Sequence, residues 1–209
     1  MNSVWTDQYP SEYGWTLYGP EQTQNAQEIA QYLVNNGVNQ DSAYAILGNM
    51  TVESFLNPGI WQYHSGVWVS ANSFGLAQWD PSTKYSDYLT QQGLTVNQEN
   101  MENGYYQLDF LLQDSAQWST SHVDMNTGWS NDYQIYVPIY PTMQDFFTDT
   151  QASVSAKTLA WMVYWERPSY DPNINRMTER LDYANHWAVS ISVFALIWLL
   201  AKVAGKWRL

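Results

Sequence analysis

The sequence contains no cysteine among its 209 residues, which excludes disulfide bonds and thiolate metal sites. Its three histidines, His64, His122 and His186, are too scattered to form the close pair of a zinc motif. Basic side chains are also few, with 8 Lys and Arg against 20 Asp and Glu and a formal net charge of −12. Because phosphate binding needs clustered Lys and Arg, we expect no nucleic-acid binding. We also expect no metal site and no cofactor.

The first residues of the chain lack the basic region and the apolar core of a secretion signal, so an ordinary export route is not expected. Residues 1–20 are rich in Tyr, Trp, Pro and Gly with little periodicity, which predicts an extended arm or contact surface. The length suits one domain with a sizeable core, with or without an appendage. We therefore expect an arm at 1–20, one globular domain at 21–186 and a separate C-terminal segment at 187–209.

Two patterns in the first third of the chain predict helices. The first helix is expected to begin near Thr23 or Asn25 and to end before Gly37. Its buried stripe consists of Ala26, Ile29, Ala30 and Leu33. Asn39 is then suited to cap a second helix, which the turn sequence Asn57-Pro58-Gly59 terminates.

The second helix carries the candidate catalytic acid. Its apolar face consists of Ala43, Ile46, Leu47 and Met50, at spacings of three and four residues. Glu53 follows on the same face. Burial of a carboxyl disfavours its charged form and raises its pKa, and such a protonated acid is what glycoside cleavage requires. The alternative is that Glu53 lies beyond the end of the helix and is solvated.

Residues 60–82 are loop-like and mix aromatic, amide and glycine residues, a composition that suits a carbohydrate groove. The candidates for substrate binding are Ser54, Trp61, Gln62, Tyr63, Gly75, Leu76, Gln78 and Trp79. The 12 Trp and 16 Tyr of the chain support such a groove, although most aromatic side chains are expected in the core. The alternative is a structured surface loop without a binding role.

Several short motifs occur in an order that resembles a known family. Glu53-Ser54 followed by Gly75-Leu76-Ala77-Gln78 is similar to the catalytic motifs of goose-type lysozymes and soluble lytic transglycosylases. A closer resemblance is to the phage tail lysozyme family, typified by the tail-tip lysins of small podoviruses of Gram-positive hosts. The shared motifs are Asn25-Ala26, Leu47-Gly48-Asn49-Met50, Glu53-Ser54, Asn57-Pro58-Gly59, Phe74-Gly75-Leu76, Gln78-Trp79, Ala116-Gln117-Trp118, Glu166-Arg167-Pro168, Glu179-Arg180, Asp182 and Trp187. Together they cover roughly residues 24–187.

The resemblance implies a mainly α, lysozyme-like domain with a loop-rich substrate groove that cuts the glycan strand of peptidoglycan, with Glu53 as general acid. Glycosidases normally need a second carboxylate as nucleophile or base, yet goose-type relatives manage without an obvious nucleophile. The candidates for this second role are Asp80 and Glu166. Glu166, followed by Arg167, is equally suited to a salt bridge between helices. By analogy with the Ala-Tyr-Asn segment of transglycosylases, Tyr164 lines the cleft, or else it packs in the core.

Residues 119–141 depart from the family's pattern and look inserted. Such an insertion forms either a lobe over the cleft or a packing surface, and the sequence leaves both open. Helical patterns return after it, first in a short segment with Met143, Phe146 and Phe147. A second stripe, formed by Ala156, Leu159, Ala160 and Val163, ends before Pro168.

The C-terminal segment is hydrophobic. From Tyr183 to Ala201 the chain carries no Asp, Glu, Lys or Arg over 19 residues. As a helix this span is about 28 Å long, close to the hydrocarbon thickness of a bilayer. Trp187 and Trp207 resemble an aromatic belt, and basic residues follow the span. We expect a membrane-interacting helix; the alternative is a helix buried against other virion proteins or further copies of the chain.

Together these features predict a phage virion-associated muramidase that degrades the host cell wall locally during infection and genome delivery. The expected location is the tail or the internal core of the virion. The expected partners are peptidoglycan glycan strands, the host cytoplasmic membrane, other virion proteins and further copies of the chain. Two alternatives remain, an inactive wall-binding or structural virion protein and a membrane-perforating, holin-like protein. The sequence does not distinguish hydrolysis from lytic transglycosylation.

Overall fold

The computed structural model describes residues 1–61, 73–168 and 176–206, and for residues 194–206 it describes the backbone alone. Within these ranges the chain is mainly helical, as predicted. The eight α-helices of the described ranges are α1 (Pro20–Asn35), α2 (Gln40–Ser54), α3 (Thr83–Gln91), α4 (Gln98–Met101), α5 (Gly104–Gln113), α6 (Met143–Thr148), α7 (Val154–Trp161) and α8 (Met177–Lys206). Short 3-10 helices occupy Pro10–Glu12 and Ser115–Gln117. An antiparallel hairpin pairs β1 (Trp129–Ser130) with β2 (Ile135–Tyr136).

Helix α1 begins earlier than predicted, at Pro20, because proline is well suited to a first turn in which its missing amide hydrogen is not needed. Its predicted stripe is fully or almost fully buried. After the helix, Gly37 adopts a φ of 89°, a left-handed conformation that glycine accepts without steric cost. Asn39 caps α2 as predicted, since its side chain accepts a hydrogen bond from the amide of Asp41 at 2.9 Å.

Helix α2 is the central helix of the core and packs along α1, α7 and α8. Every residue from Ser42 to Thr51 is buried. Gly48 permits the close approach of α8, because a Cβ at this position would lie 2.6 Å from both the Cβ of Ala184 and the backbone oxygen of Arg180. The Leu47-Gly48-Asn49-Met50 motif therefore marks a helix crossing at which only glycine fits.

The segment 119–141 packs against the core. Its buried side chains are Val123, Ser130, Tyr133, Val137 and Tyr140. The indole nitrogen of Trp118 donates a hydrogen bond to the carbonyl oxygen of Tyr140 at 3.1 Å. The Trp118 ring also stacks on Tyr164, with ring centroids 4.8 Å apart. The sequence left open whether this segment forms a lobe over the cleft or a packing surface, and in the structure it forms a packing surface.

Helix α7 continues directly into a π-helical turn, Met162–Glu166, which the sequence pattern did not predict. The first four side chains of this turn are buried. Arg167 then takes a left-handed φ of 48°, and its amide bonds to the carbonyl oxygen of Met162 at 2.8 Å, which ends the helix. Because the π-helical turn inserts extra backbone into the last turn, it changes the direction in which the Glu166 side chain leaves the helix.

Helix α8 runs without a break from Met177 to Lys206, so the expected boundary between residues 186 and 187 falls inside one helix. Trp187, which the sequence suggested as part of an aromatic belt, is instead fully buried in the core. Its indole nitrogen donates a hydrogen bond to the Thr51 hydroxyl at 2.9 Å. The first part of α8 is therefore a core helix, because it covers the open side of α2.

The outer part of α8 carries exposed apolar residues, with Val189 65% and Val193 49% exposed. The predicted hydrophobic span continues into residues 194–209, whose side chains lie outside the described part of the chain. None of the helices in the described ranges is sufficiently long and apolar to cross a membrane.

Candidate functional site

A cavity of about 850 Å³ opens at the C-terminal end of α2. The last turn of α2 lines it with residues 51–55, and the N-terminal arm with residues 7–11 and 15–17. The loop after α2 contributes Ile60, Trp61, Ser73 and Gln78. Arg176, directly before the last helix, and Tyr183 within it complete the lining. Carboxylate, amide, hydroxyl and aromatic groups thus face one space.

Glu53 lies in the last turn of α2 and faces this cavity. Met50, three residues earlier on the helix, is fully buried, whereas the Glu53 side chain is 23% exposed. The difference arises because α2 ends one residue later, and Phe55 and Leu56 turn the chain away with left-handed φ values of 56° and 62°. The expectation of a buried Glu53 carboxyl is therefore wrong. The side chain is partly solvated and lies on the cavity wall.

Arg180 of α8 holds the Glu53 carboxylate from the protein side. One guanidinium nitrogen donates a hydrogen bond to the Glu53 Oε1, and another donates to the Asn49 Oδ1 at 2.8 Å. Asn49 is in turn anchored, since its side-chain nitrogen donates to the carbonyl oxygens of Ala45 at 2.9 Å and Thr158 at 3.2 Å. The Arg180 side chain is only 2% exposed, so this ion pair connects the cavity to the core.

Glu166 lies behind this pair, at the end of the π-helical turn. The indole nitrogen of Trp161 donates a hydrogen bond to its Oε1 at 3.0 Å. Burial, and then the negative charge of Glu53, raise the pKa of Glu166 to about 8, while Arg180 acts in the opposite direction. Glu166 is not among the residues that line the cavity. Glu166 is influenced by the charge of Glu53 but does not line the cavity that Glu53 faces.

The predicted Glu53-Ser54 and Gly75-Leu76 motifs meet in the structure. The Ser54 hydroxyl lies 2.9 Å from the Met50 carbonyl oxygen and 2.8 Å from that of Leu76, which ties the end of α2 to the loop. Gly75 has a φ of 79°, and a Cβ there would lie 2.5 Å from the Gln107 Oε1. Leu76 is fully buried, and its amide donates to the same Gln107 oxygen at 2.8 Å. In this conformation Gly75 and Leu76 support the loop from inside.

Of the other predicted substrate-binding residues, Trp61 and Gln78 line the cavity together with Glu53 and Ser54. Trp79 and Tyr164 are not among the lining residues and are 4% and 0% exposed. Their rings pack inside the core and offer no free face to a ligand here. Asp80 is exposed and lies outside the cavity lining. Gln62 and Tyr63 lie outside the described residues.

The cavity also includes residues that sequence reasoning missed. The N-terminal arm contributes Asp7, Tyr9 and Trp15, and the last helix contributes Tyr183. Tyr9 is 60% exposed on this wall. The arm has no periodic pattern and no recognisable motif, so nothing in the sequence connects it with Glu53. Within the described ranges, no group of three or more His, Asp or Glu side chains is positioned to hold a metal ion.

Comparison with known proteins identifies the family of the chain. The family model for phage tail lysozyme matches residues 24–190, a range that includes Glu53, Glu166 and Arg180. The chain is also 34% identical over 169 residues to Morphogenesis protein 1 of Bacillus phage B103, an alignment that covers 80% of this chain and 39% of that protein. The chain thus spans about two fifths of the length of this relative. The resemblance drawn from the motifs is confirmed, and the chain belongs to the phage tail lysozyme family.

Proposed function

We propose that this protein is a virion-associated muramidase that cleaves the glycan strand of peptidoglycan, with Glu53 as the general acid. The observation that carries the proposal is the position of Glu53 on the wall of the cavity of about 850 Å³, at the end of α2. A carboxyl group in such a position can reach the glycosidic oxygen of a bound sugar chain. Membership of the phage tail lysozyme family supports a lysozyme-like activity at this site.

The lining of the cavity suits a sugar chain. Tyr9, Tyr183 and the mostly buried ring of Trp61 supply aromatic surface, and Gln78 and Thr16 are polar. Carbohydrate sites combine flat apolar surfaces with a small number of fixed polar groups. The Gln78 side chain is itself held in place, since its nitrogen donates to the carbonyl oxygens of Gly75 at 3.0 Å and Ile60 at 3.3 Å. Its oxygen therefore has a defined orientation.

The reaction begins with transfer of a proton from Glu53 to the glycosidic oxygen, which makes this oxygen a better leaving group as the bond to the sugar C1 breaks. Arg180 holds the Glu53 carboxyl group from the protein side. We infer that Arg180 is a positioning residue, because it fixes this group before the substrate arrives.

Glu166 is proposed to act through the ion pair between Glu53 and Arg180. With a pKa raised to about 8, its carboxyl is neutral near pH 7 and adds no second negative charge next to Glu53. When Glu166 is neutral, it does not compete with Glu53 for the positive charge of the Arg180 guanidinium. We accordingly assign Glu166 a positioning role. Asp80, which is exposed and does not line the cavity, receives no role in this mechanism.

The site of action is proposed to be the host cell wall during infection, with the protein carried in the tail or the internal core of the virion. The family and the phage relative support a virion-associated protein. We also propose that the outer part of α8 contacts the host cytoplasmic membrane or other virion proteins. The exposed side chains of Val189 and Val193 continue the apolar character of that segment. Flotation of the full chain with anionic lipid vesicles, compared with Val189→Lys/Val193→Lys, tests the membrane contact.

The decisive experiment is digestion of purified peptidoglycan by the full chain, wild type next to Glu53→Gln, with the products identified by mass spectrometry. The substitution keeps the shape of the side chain and removes the acid, so we expect at least a ~100-fold loss of rate. Glu12→Gln, in the same region but exposed and outside the cavity lining, is the matched control. Circular dichroism must show that all three proteins are folded.

The products decide between the reaction types. Muropeptides with reducing ends would establish that the protein is a muramidase. Anhydro products would show that it is a lytic transglycosylase. Equal digestion by wild type and Glu53→Gln would show that Glu53 is not the acid. If both proteins bind the wall and neither digests it, the protein is a wall-binding module.

A further inference from the structure

The N-terminal arm is attached to the segment that directly follows Glu53. The amide of Thr6 donates to the Gly59 carbonyl oxygen at 3.2 Å, and the amide of Trp61 donates to the Thr6 carbonyl oxygen at 2.8 Å. Thr6 and Ile60 thus pair as a parallel bridge. Because backbone hydrogen bonds hold Thr6, the position of the next residue, Asp7, is defined relative to the end of α2.

Asn57 provides a second attachment for the arm. Its side-chain nitrogen donates to the carbonyl oxygen of Val4 at 2.9 Å, and its Oδ1 accepts a hydrogen bond from the Val4 amide at 3.0 Å. Asn57 is fully buried. Gly59 completes the contact, since a Cβ there would lie 2.7 Å from the Val4 carbonyl oxygen. Phe55 and Leu56 have already ended α2 when the chain reaches Asn57-Pro58-Gly59, and this sequence receives the arm.

Asp7 lies on the wall of the cavity that Glu53 also lines. Among the residues of the described ranges, these two supply the only carboxylates of the lining. Within the same ranges, no hydrogen bond or ion pair engages the Asp7 side chain, whereas Arg180 holds Glu53. A cavity of about 850 Å³ has room for a sugar ring and a water molecule between two carboxylates, which lie roughly 6.5–9.5 Å apart in inverting glycosidases.

From these contacts we propose that Asp7 is the general base that activates the attacking water. This inference rests on the proposed function of the site. The Asp7 carboxylate takes one proton from the water, and the water oxygen forms a bond with the sugar C1. Glu53 gives its proton to the glycosidic oxygen as the bond between that oxygen and C1 breaks. The proton lost by Glu53 is later replaced by the one that Asp7 has gained, through solvent, so the enzyme returns to its starting state.

Two consequences distinguish this mechanism from others. Water attacks from the face opposite to the leaving group, so the newly formed reducing end has the inverted anomeric configuration. The reaction is also a hydrolysis, because the base activates water and not a hydroxyl of the sugar itself. Anhydro products or a retained configuration would overturn the assignment of Asp7.

The test uses the full chain in three variants, Asp7→Asn, Asp7→Ala and Glu12→Gln, next to wild type. Glu12→Gln removes the same charge from the same arm at an exposed position outside the cavity lining. For Asp7→Asn we expect kcat to fall by about 100-fold or more while KM changes less than about threefold, since the base acts on water and not on substrate affinity. Glu12→Gln should keep the wild-type rate. Proton NMR of the first products gives the anomeric configuration.

Asp7→Ala provides a rescue experiment. Sodium formate or sodium azide can occupy the space of the deleted carboxylate, and we expect either anion to raise the rate of Asp7→Ala at least tenfold without any effect on Glu53→Gln. A rate of Asp7→Asn equal to wild type, with Glu53→Gln inactive, would overturn the role of Asp7 and leave the proposed function intact. A wild-type protein that does not cut peptidoglycan would overturn both.

Discussion

Arg180 of α8 joins Glu53 and Asn49, two residues one helical turn apart on α2, through hydrogen bonds from its guanidinium group. The arginine is almost completely buried, whereas Glu53 is partly exposed to the cavity. The last helix of the domain therefore positions a carboxylate on the second helix. The fold connects the core and the cavity through this one side chain.

Replacement of Arg180 should destabilise the protein. Arg180→Met leaves Glu53 and the Asn49 oxygen without their hydrogen-bond donors. We expect the free energy of unfolding to fall by about 3 kcal/mol. This loss is near the lower end of the range for a broken buried ion pair, because Glu53 is partly solvated. Urea denaturation, monitored by circular dichroism, measures this loss of stability. Arg176→Met is the comparison, because Arg176 pairs with Glu179 at an exposed position. We expect this substitution to lower the free energy of unfolding by less than about 1 kcal/mol. Equal losses in the two variants would contradict the structural role of Arg180.

Glu166→Gln should remove a pH dependence of stability. Between about pH 5 and pH 8 the folded protein keeps a proton on Glu166 that the unfolded chain has released, since burial raises the pKa of Glu166 to about 8. The free energy of unfolding of the wild type therefore falls through this range, by at most ~1.4 kcal/mol per pH unit from this group. Glu166→Gln lacks this contribution, so its stability relative to wild type should increase from pH 5 to pH 8. Thermal denaturation at several pH values tests this, with Glu12→Gln as the control.

The activity of Glu166→Gln distinguishes a positioning role from direct participation. Ionised Glu166 would compete with Glu53 for Arg180, so the wild-type rate should decline as the pH rises through about 8. In Glu166→Gln this decline should be absent, and the rate at pH 7 should stay within about threefold of wild type. A loss of 100-fold or more at pH 7 would instead indicate that Glu166 takes part in proton transfer.

Gly48→Ala should be destabilising although alanine favours helices. In an exposed helix this change would stabilise by about 1 kcal/mol. Here the new Cβ would lie 2.6 Å from the backbone oxygen of Arg180 and 2.6 Å from the Cβ of Ala184, so α8 must move. We expect a net loss of about 1–3 kcal/mol, as in other overpacked cores. A gain in stability, measured by urea denaturation, would show that α2 and α8 are not in such close contact.

Asn57→Ala should release the N-terminal arm. It removes both hydrogen bonds to Val4 and leaves the partly buried amide and carbonyl groups of Val4 without these partners, at a cost of about 2 kcal/mol. Hydrogen exchange should then become faster at the amides of Val4 and Thr6, while the amides of α7 keep their protection. Activity should fall as well, since the arm forms one wall of the cavity. Unchanged exchange at both amides would contradict the proposed attachment.

Local features of the sequence determined much of the helical framework. The stripe of α1 and the Asn39 cap depend on residues close together in the chain, where periodicity and capping are informative. The ordered set of short motifs from Asn25-Ala26 to Trp187 also determined the family, which the comparisons confirm. By contrast, periodicity predicted a buried Glu53, since it does not show where a helix ends against a cavity.

Only the tertiary structure decided which groups surround Glu53. Arg180 lies more than one hundred positions later in the chain, yet packing brings it to the Glu53 carboxylate. Asp7 lies in an arm without any periodic pattern, yet it lines the same cavity as Glu53. The raised pKa of Glu166 likewise arises from its enclosure next to Trp161 and from the charge of Glu53. Such contacts depend on how the helices cross, and a crossing depends on the shapes of two distant surfaces, which no local pattern in the sequence records.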